Sequence, residues 1–137
     1  MLLYQQALVI AEDAHKGQVD KAGMDYIQHP LFVASLVEGE LAKTVALLHD
    51  VVEDSDWTLE DLRKEGLPEE VVQAVGIITK KRNENYEEYI LRVKQNPLAR
   101  QVKLADLQHN SDLSRLTTVT EIDRKRAEKY RQAIAFL

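Results

Sequence analysis

One stretch constrains the fold most, because four ionisable residues directly follow a run of core-type residues. Val45–Leu48 is the apolar run, and the ionisable residues after it are His49, Asp50, Glu53 and Asp54. If the helix continues through the stretch, His49 lies above Glu53 on one face, since residues four apart are neighbours. Charges beside a core are costly unless they are paired or bind a metal. The stretch therefore predicts a functional site, whereas an isolated His-Asp pair is more often a solvated helix end.

The rest of the chain repeats apolar residues at a spacing of three and four, which predicts α-helices. A first helix is expected over residues 2–16. Thr58 with Asp61 and Asn85 with Glu88 are typical of helix starts, and a last helix should follow Thr120. No segment has the alternating pattern of a strand. The sequence predicts an all-α fold of about seven or eight helices.

Three helices are expected to carry the candidate site. Pro30 suits the first turn of a helix over about 31–37, and it disfavours a helical conformation for the residue before it. His29 should therefore be extended at the entrance of that helix. A second helix, from about Leu41, should continue through His49 and Asp50. A third, over about 98–116, contains Asp106 within an apolar stripe.

Length and composition exclude several classes of protein. A chain of 137 residues is long enough for one domain with its own core, here residues 1–137. It has no cysteine, so disulfides and zinc–thiolate sites are excluded. A net charge of −5 argues against nucleic acid as a partner. The sequence predicts neither a signal peptide nor a membrane span, so a cytoplasmic protein without membrane partners is expected.

The candidate residues on the three segments form a metal-binding set: His29, His49, Asp50 and Asp106. Two imidazoles and two carboxylates suit a divalent ion such as manganese, iron or magnesium, with coordination positions left for water. Glu53 and Asp54 follow one helical turn later, where a carboxylate can take a proton from an activated water. This combination predicts metal-assisted hydrolysis.

Other polar residues have simpler interpretations. His15 is expected to be a structural, hydrogen-bonded histidine. The spacing of His109 does not require a role in the site. Lys80–Arg82 reads as a solvated turn, although three cations beside a cleft would also suit phosphates. Lys103 and Asn110 share a helix face with Asp106.

The same residues resemble a known family, the HD-domain phosphohydrolases, and most closely the hydrolase domains of RelA/SpoT proteins and small alarmone hydrolases. The resemblance covers positions 14–110 and is carried by Ala14–Gln18, Tyr26–Pro30, Ala46–Asp54, Val102–Asp106 and Asn110. It implies a helical HD-type bundle. It also implies removal of pyrophosphate from the 3′ position of guanosine tetra- or pentaphosphate, (p)ppGpp.

The resemblance implies a role for each matching residue. It implies one manganese ion bound by the four-residue set, and Glu53 and Asp54 as the catalytic acidic pair. Asn110 matches a nucleotide-contacting residue, and Lys21 and Lys103 are further candidates for substrate binding.

One position departs from the family pattern. Asp20 stands where members usually have an arginine that stacks on guanine. A carboxylate there would repel a polyanion, which predicts weak hydrolysis of guanosine tetraphosphate and a gain in affinity on Asp20→Arg.

Three alternatives remain open at the level of the sequence. The chain could hydrolyse another nucleotide or phosphoester, or it could be a nucleotide sensor without catalysis. A helical oligomerisation module is the third, and a homo-oligomer is compatible with any of them.

Overall fold

The computed structural model describes residues 2–137, and that part of the chain is helical, without a β-strand. Its nine α-helices are α1 (Leu3–Ala14), α2 (Gln28–Leu36), α3 (Glu40–Leu48), α4 (Val51–Asp54), α5 (Leu59–Lys64), α6 (Glu69–Ile78), α7 (Tyr86–Lys94), α8 (Pro97–Asn110) and α9 (Glu121–Phe136). A 3-10 turn, Leu113–Arg115, follows α8, and one isolated bridge pairs Val19 with Asp25. The predicted all-α fold is confirmed. The expected number was seven or eight helices, and eight remain when α4, a single turn of four residues, is set aside.

The core is organised around α3 and α8, which pack against each other. Helix α3 also contacts α1, α2 and α6, and α8 also contacts α2, α6, α7 and α9. Val45–Leu48 at the end of α3 is fully buried. Because α3 is surrounded by other helices, the residues at its C-terminal end lie inside the bundle rather than in solvent. The candidate site is at this end.

Local signals account for several helix starts, as the sequence predicts. The Thr58 hydroxyl accepts a hydrogen bond from the Asp61 backbone N–H, and Thr120 makes the same bond with Asp123 at the start of α9. Asn85 caps α7. These caps satisfy N–H groups that have no partner within the helix. Gly17 follows α1 at φ 82°, a left-handed conformation that glycine adopts without strain.

Two expectations around the site are wrong. His29 is not extended before a helix but lies in the first turn of α2, with Pro30 beside it. The first turn tolerates proline because its N–H groups have no helical partner. The second helix does not continue through His49 and Asp50: α3 ends at Leu48, and α4 begins at Val51. The His-Asp pair therefore forms a turn between two helices.

The helix that carries Asp106 is also shorter than expected. It ends at Asn110, and the residues from Asp112 to Leu116 form the 3-10 turn and its flanks. The Asp112 side chain accepts the Ser114 backbone N–H, a local bond that competes with helix continuation. As a result, Leu113 and Leu116 line a cleft beside the site instead of extending the stripe of α8.

None of the helices in residues 2–137 has the length and apolarity needed to cross a lipid bilayer.

Candidate metal centre and adjoining clefts

The four predicted metal ligands come together in the structure. One ligand atom from each of His29, His49, Asp50 and Asp106 lies within 4.8 Å of the other three. His29 Nε2 is 2.7 Å from Asp106 Oδ1, and His49 Nε2 is 3.0 Å from Asp50 Oδ2. Both histidines and Asp106 are buried. The turn between α3 and α4 thus faces the first turn of α2 and the middle of α8.

Hydrogen bonds to the other ring nitrogens orient both imidazoles. His49 Nδ1 contacts the Ala46 carbonyl oxygen, which can only accept, so Nδ1 carries the proton. Nε2 is therefore the ring nitrogen that a metal would bind, in place of a proton. His29 Nδ1 lies 2.7 Å from His109 Nδ1, and the two ring planes are within 11° of parallel. The bond to the Ala46 carbonyl is typical of metal-binding histidines, because it fixes the tautomer and the ring orientation.

The electrostatics of the cluster favour positive charge between the carboxylates. Burial lowers the pKa of His49, but Asp50 and Asp106 raise it more, so the net pKa is well above its usual value. Burial raises the pKa of Asp106, whereas Lys103 and His49 lower it well below the usual range. His49 likewise lowers the pKa of Asp50 to about 2 against the effect of burial. Both carboxylates therefore stay ionised at neutral pH.

Neighbours of the cluster hold the carboxylates in place. Lys103 Nζ is 2.9 Å from Asp106 Oδ2, and Asn110 Nδ2 donates to Asp106 Oδ1 at 3.0 Å. The prediction that these three residues share a helix face is therefore confirmed. Lys103 and Asn110, which were candidates for substrate binding, both contact Asp106 in this structure. The Tyr26 hydroxyl donates to Asp50 Oδ2.

The residues present fit a divalent metal ion. Two imidazole nitrogens and two carboxylate oxygens converge, and the hydrogen bonds of His49 and Asp106 support them from outside. Buried carboxylates without a counter-charge would be strongly unfavourable, and a bound cation would compensate them.

The acidic pair lies at the edge of this cluster. Glu53 and Asp54 are in α4 and are exposed, and Glu53 lines the cleft next to the cluster. Neighbouring protein atoms and the charge of Asp50 raise the pKa of both carboxyls. Gln18 holds α4, since its side-chain amide donates to the Asp54 carbonyl at 2.9 Å. His15 contacts Gln18 through Nδ1 and is buried, in keeping with its expected structural role.

Two clefts open from the cluster. The metal-side cleft, of about 210 Å³, has walls that include Asp50, Glu53, Lys80, Tyr86, Lys103 and Asp106. The lateral cleft, of about 380 Å³, has walls that include Asp20, Lys21, His29, Arg115, Asp123 and Arg126. Tyr26, Asn110 and Tyr130 line both. A ligand can therefore extend from one cleft into the other past the cluster.

The cations of the lateral cleft are paired with acids. Arg115 lies 3.0 Å from Asp20, while Lys21 and Arg126 lie 3.9 Å and 3.6 Å from Asp123. Asp20 also accepts hydrogen bonds from the backbone N–H groups of Ala22 and Met24. The structure therefore does not support the free, repelling carboxylate that the sequence suggested at position 20, because Arg115 compensates its charge.

Sequence reasoning missed three residues of the site: His109, Tyr26 and Arg115. Each forms a hydrogen-bond contact with a residue distant in the chain; Arg115 and Asp20, for example, are separated by 95 positions. Helical periodicity carries no signal for such a pair. Two hints were present: His109 is the neighbour of Asn110, and Tyr26 belongs to the Tyr26–Pro30 stretch that carries the family resemblance.

Known proteins resemble this chain in sequence and in fold. No family model matches the chain. The guanosine-3′,5′-bis(diphosphate) 3′-pyrophosphohydrolase of Haemophilus influenzae is 36% identical over 116 residues, 74% of this chain and 17% of that protein. The protein of the same name from Aquifex aeolicus is 39% identical over 114 residues, 74% of this chain and 16% of that protein. The bifunctional (p)ppGpp synthase/hydrolase SpoT of Escherichia coli K12 is 35% identical over 120 residues, 77% of this chain and 17% of that protein.

This chain thus spans 17% or less of the length of these three relatives. A solved structure, described as a metazoan orthologue of SpoT that hydrolyses ppGpp, matches along nearly the full length. It superimposes with a TM-score of 0.79 at 26% identity and covers 99% of this chain and 85% of that chain.

Proposed function

Because this chain belongs to the RelA/SpoT-like family of HD-domain hydrolases, we propose that it removes pyrophosphate from the 3′ position of guanosine tetra- or pentaphosphate. One observation carries the proposal: the four converging side chains of the cluster lie between two clefts, with an acidic pair at their edge. The names of the relatives supply the substrate class.

His29, His49, Asp50 and Asp106 would hold a divalent ion. When bound, such an ion supplies Lewis acidity and lowers the pKa of water. We propose manganese, since its preferences suit a mixed set of imidazole and carboxylate ligands. We also propose that the enzyme acts in the cytoplasm, because its proposed substrate is a guanosine nucleotide.

Glu53 is the proposed general base, because it lines the metal-side cleft and its raised pKa makes it a better proton acceptor. A water oxygen forms a bond to the phosphorus attached to the ribose 3′-oxygen, and the bond between that phosphorus and the 3′-oxygen breaks. The water proton passes to Glu53, and the 3′-oxygen takes up a proton. The products are pyrophosphate and guanosine 5′-di- or triphosphate. We propose Asp54 as the second carboxylate of the acidic pair, and the Gln18 bond to its backbone carbonyl holds the helical turn α4 that carries both residues.

The clefts suit the two parts of this substrate. The lateral cleft is larger, and its cations are paired, so it suits the nucleoside. Lys21 is 57% exposed at its rim and can reach a 5′-phosphate. Asn110 lines both clefts and is placed to contact the ribose. The Lys103 ammonium offsets the negative charge of Asp106, which lowers the repulsion between that carboxylate and an incoming phosphate.

Product analysis over a nucleotide panel tests the proposal. With manganese, guanosine tetraphosphate should give equal amounts of guanosine diphosphate and pyrophosphate, whereas GTP and ATP should remain intact. His49→Ala should abolish the reaction. Hydrolysis of a different phosphoester would assign another substrate, and tight binding without turnover would support a sensor.

A further inference from the structure

Tyr86 lines the metal-side cleft, and its hydroxyl group is unusual. The oxygen is buried, yet it has no hydrogen-bond partner. Buried polar groups are nearly always paired, because an unpaired one loses its hydration without compensation. The ring itself is well held, since the Lys129 ammonium lies 3.9 Å from its centroid. A buried hydroxyl without a partner, in a residue that lines the cleft, is a candidate donor to a ligand that the cleft binds.

Lys80 on the same wall is also available to a ligand. It is half-buried, and its ammonium donates one hydrogen bond, to the Lys81 carbonyl at 3.3 Å. No ion pair among residues 2–137 includes Lys80, whereas the lateral-cleft cations Lys21, Arg115 and Arg126 each have an acidic partner. An ammonium group without a carboxylate partner, next to a hydroxyl donor, suits the acceptor oxygens of a phosphate.

We propose that Tyr86 and Lys80 form a binding subsite for the terminal phosphate of the 3′-diphosphate. The inference rests on the proposed function, which puts the attacked phosphorus beside the four-residue cluster and the nucleoside in the lateral cleft. The terminal phosphate then extends in the other direction, into the metal-side cleft, where both residues lie. The subsite distinguishes a 3′-diphosphate from a 3′-monophosphate, because only the former reaches it.

Calorimetric titration of manganese-loaded protein with inorganic pyrophosphate tests the subsite directly. Tyr86→Phe and Lys80→Gln should each weaken pyrophosphate binding about 10- to 100-fold, as expected for the loss of a hydrogen bond or charge contact to an anion. Tyr4→Phe in α1 and Lys81→Gln, an exposed neighbour of Lys80, are the matched controls and should bind as wild type. Tyr86→Phe should not lower the melting temperature, because it removes a hydroxyl that bonds to nothing in the protein.

Kinetics separate this inference from the proposed function. With guanosine tetraphosphate, both variants should lower kcat/KM, and with the 3′-monophosphate analogue they should match wild type. If wild type hydrolyses guanosine tetraphosphate while both variants bind pyrophosphate as tightly as it does, the subsite is wrong and the function stands. If wild type has no such activity, the function is wrong, and pyrophosphate binding alone decides the subsite. Failure of the wild-type protein to bind pyrophosphate at millimolar concentration would also overturn the subsite.

Discussion

The guanidinium of Arg115 lies 3.0 Å from the carboxylate of Asp20, across 95 positions of sequence, and joins the loop after α1 to the turn after α8. The pair is largely withdrawn from solvent, with side-chain exposures of 27% and 12%. Arg115 also donates to the His109 carbonyl at 3.3 Å. The loop that covers the lateral cleft is thereby tied to the helix that carries Asp106.

Asp20→Arg should therefore weaken the enzyme rather than improve it, contrary to the expectation from sequence. The substitution places two cations side by side and removes the acceptor for the Ala22 and Met24 N–H groups. We expect a lower melting temperature and a lower kcat/KM for guanosine tetraphosphate. The exchange of both residues, Asp20→Arg with Arg115→Asp, should recover part of the stability, with a coupling energy of roughly 0.5–3 kcal/mol. If the double variant melts no higher than the sum of the two single-variant changes predicts, the pairing is contradicted.

Removal of the metal should destabilise the fold. A ligand that binds only the folded state at 100 times its Kd stabilises it by about 2.7 kcal/mol. For a domain of this size that corresponds to a rise in Tm of roughly 5–15 °C. Thermal unfolding with manganese and with a chelator measures the difference. In Asp50→Ala the two curves should coincide, and an equally large metal effect in that variant would show that the ion binds elsewhere.

The acidic pair should be needed for turnover but not for folding. Glu53→Gln should lower kcat by roughly 10²–10⁴, the usual contribution of a positioned general base, and leave the metal-dependent rise in Tm unchanged. Asp54→Asn should also lower kcat. Glu60→Gln in α5, another exposed glutamate, is the control. If both amide variants turned over at the wild-type rate, Glu53 and Asp54 would have no catalytic role.

His109 should act on the metal through His29. Its Nδ1 lies 2.7 Å from His29 Nδ1, and its ring stacks on Phe32 with centroids 4.3 Å apart. Loss of such a support typically lowers metal affinity 10- to 100-fold. We expect this for His109→Ala in a competition with a metal-binding dye. Gln108→Ala, in the exposed position next to it, should keep the wild-type affinity.

The sequence predicted those parts of the fold that depend on local signals. Caps such as Asn85 and the pair Thr58–Asp61 act within one turn, so the helix starts were readable. The four-residue cluster was also foreseen, since its members combine ligand chemistry with apolar surroundings.

What the sequence did not reveal depends on packing between distant segments. The break between α3 and α4 turns His49 and Asp50 towards Asp106, although propensity favoured one continuous helix. Tyr86 carries no signal in the sequence, because a hydroxyl without a partner is recognisable only once its neighbours are in place. Asp20 looked repulsive in isolation because Arg115 is remote in the chain.

The most direct test of the central claim is a titration of metal-free protein with manganese, with pyrophosphate release from guanosine tetraphosphate as the readout. We predict no release without metal and a linear rise in rate that ends at one manganese ion per chain, with no rise in Asp106→Ala. Release that continues in the presence of excess chelator, or that rises equally in Asp106→Ala, would contradict a hydrolase centred on these four residues.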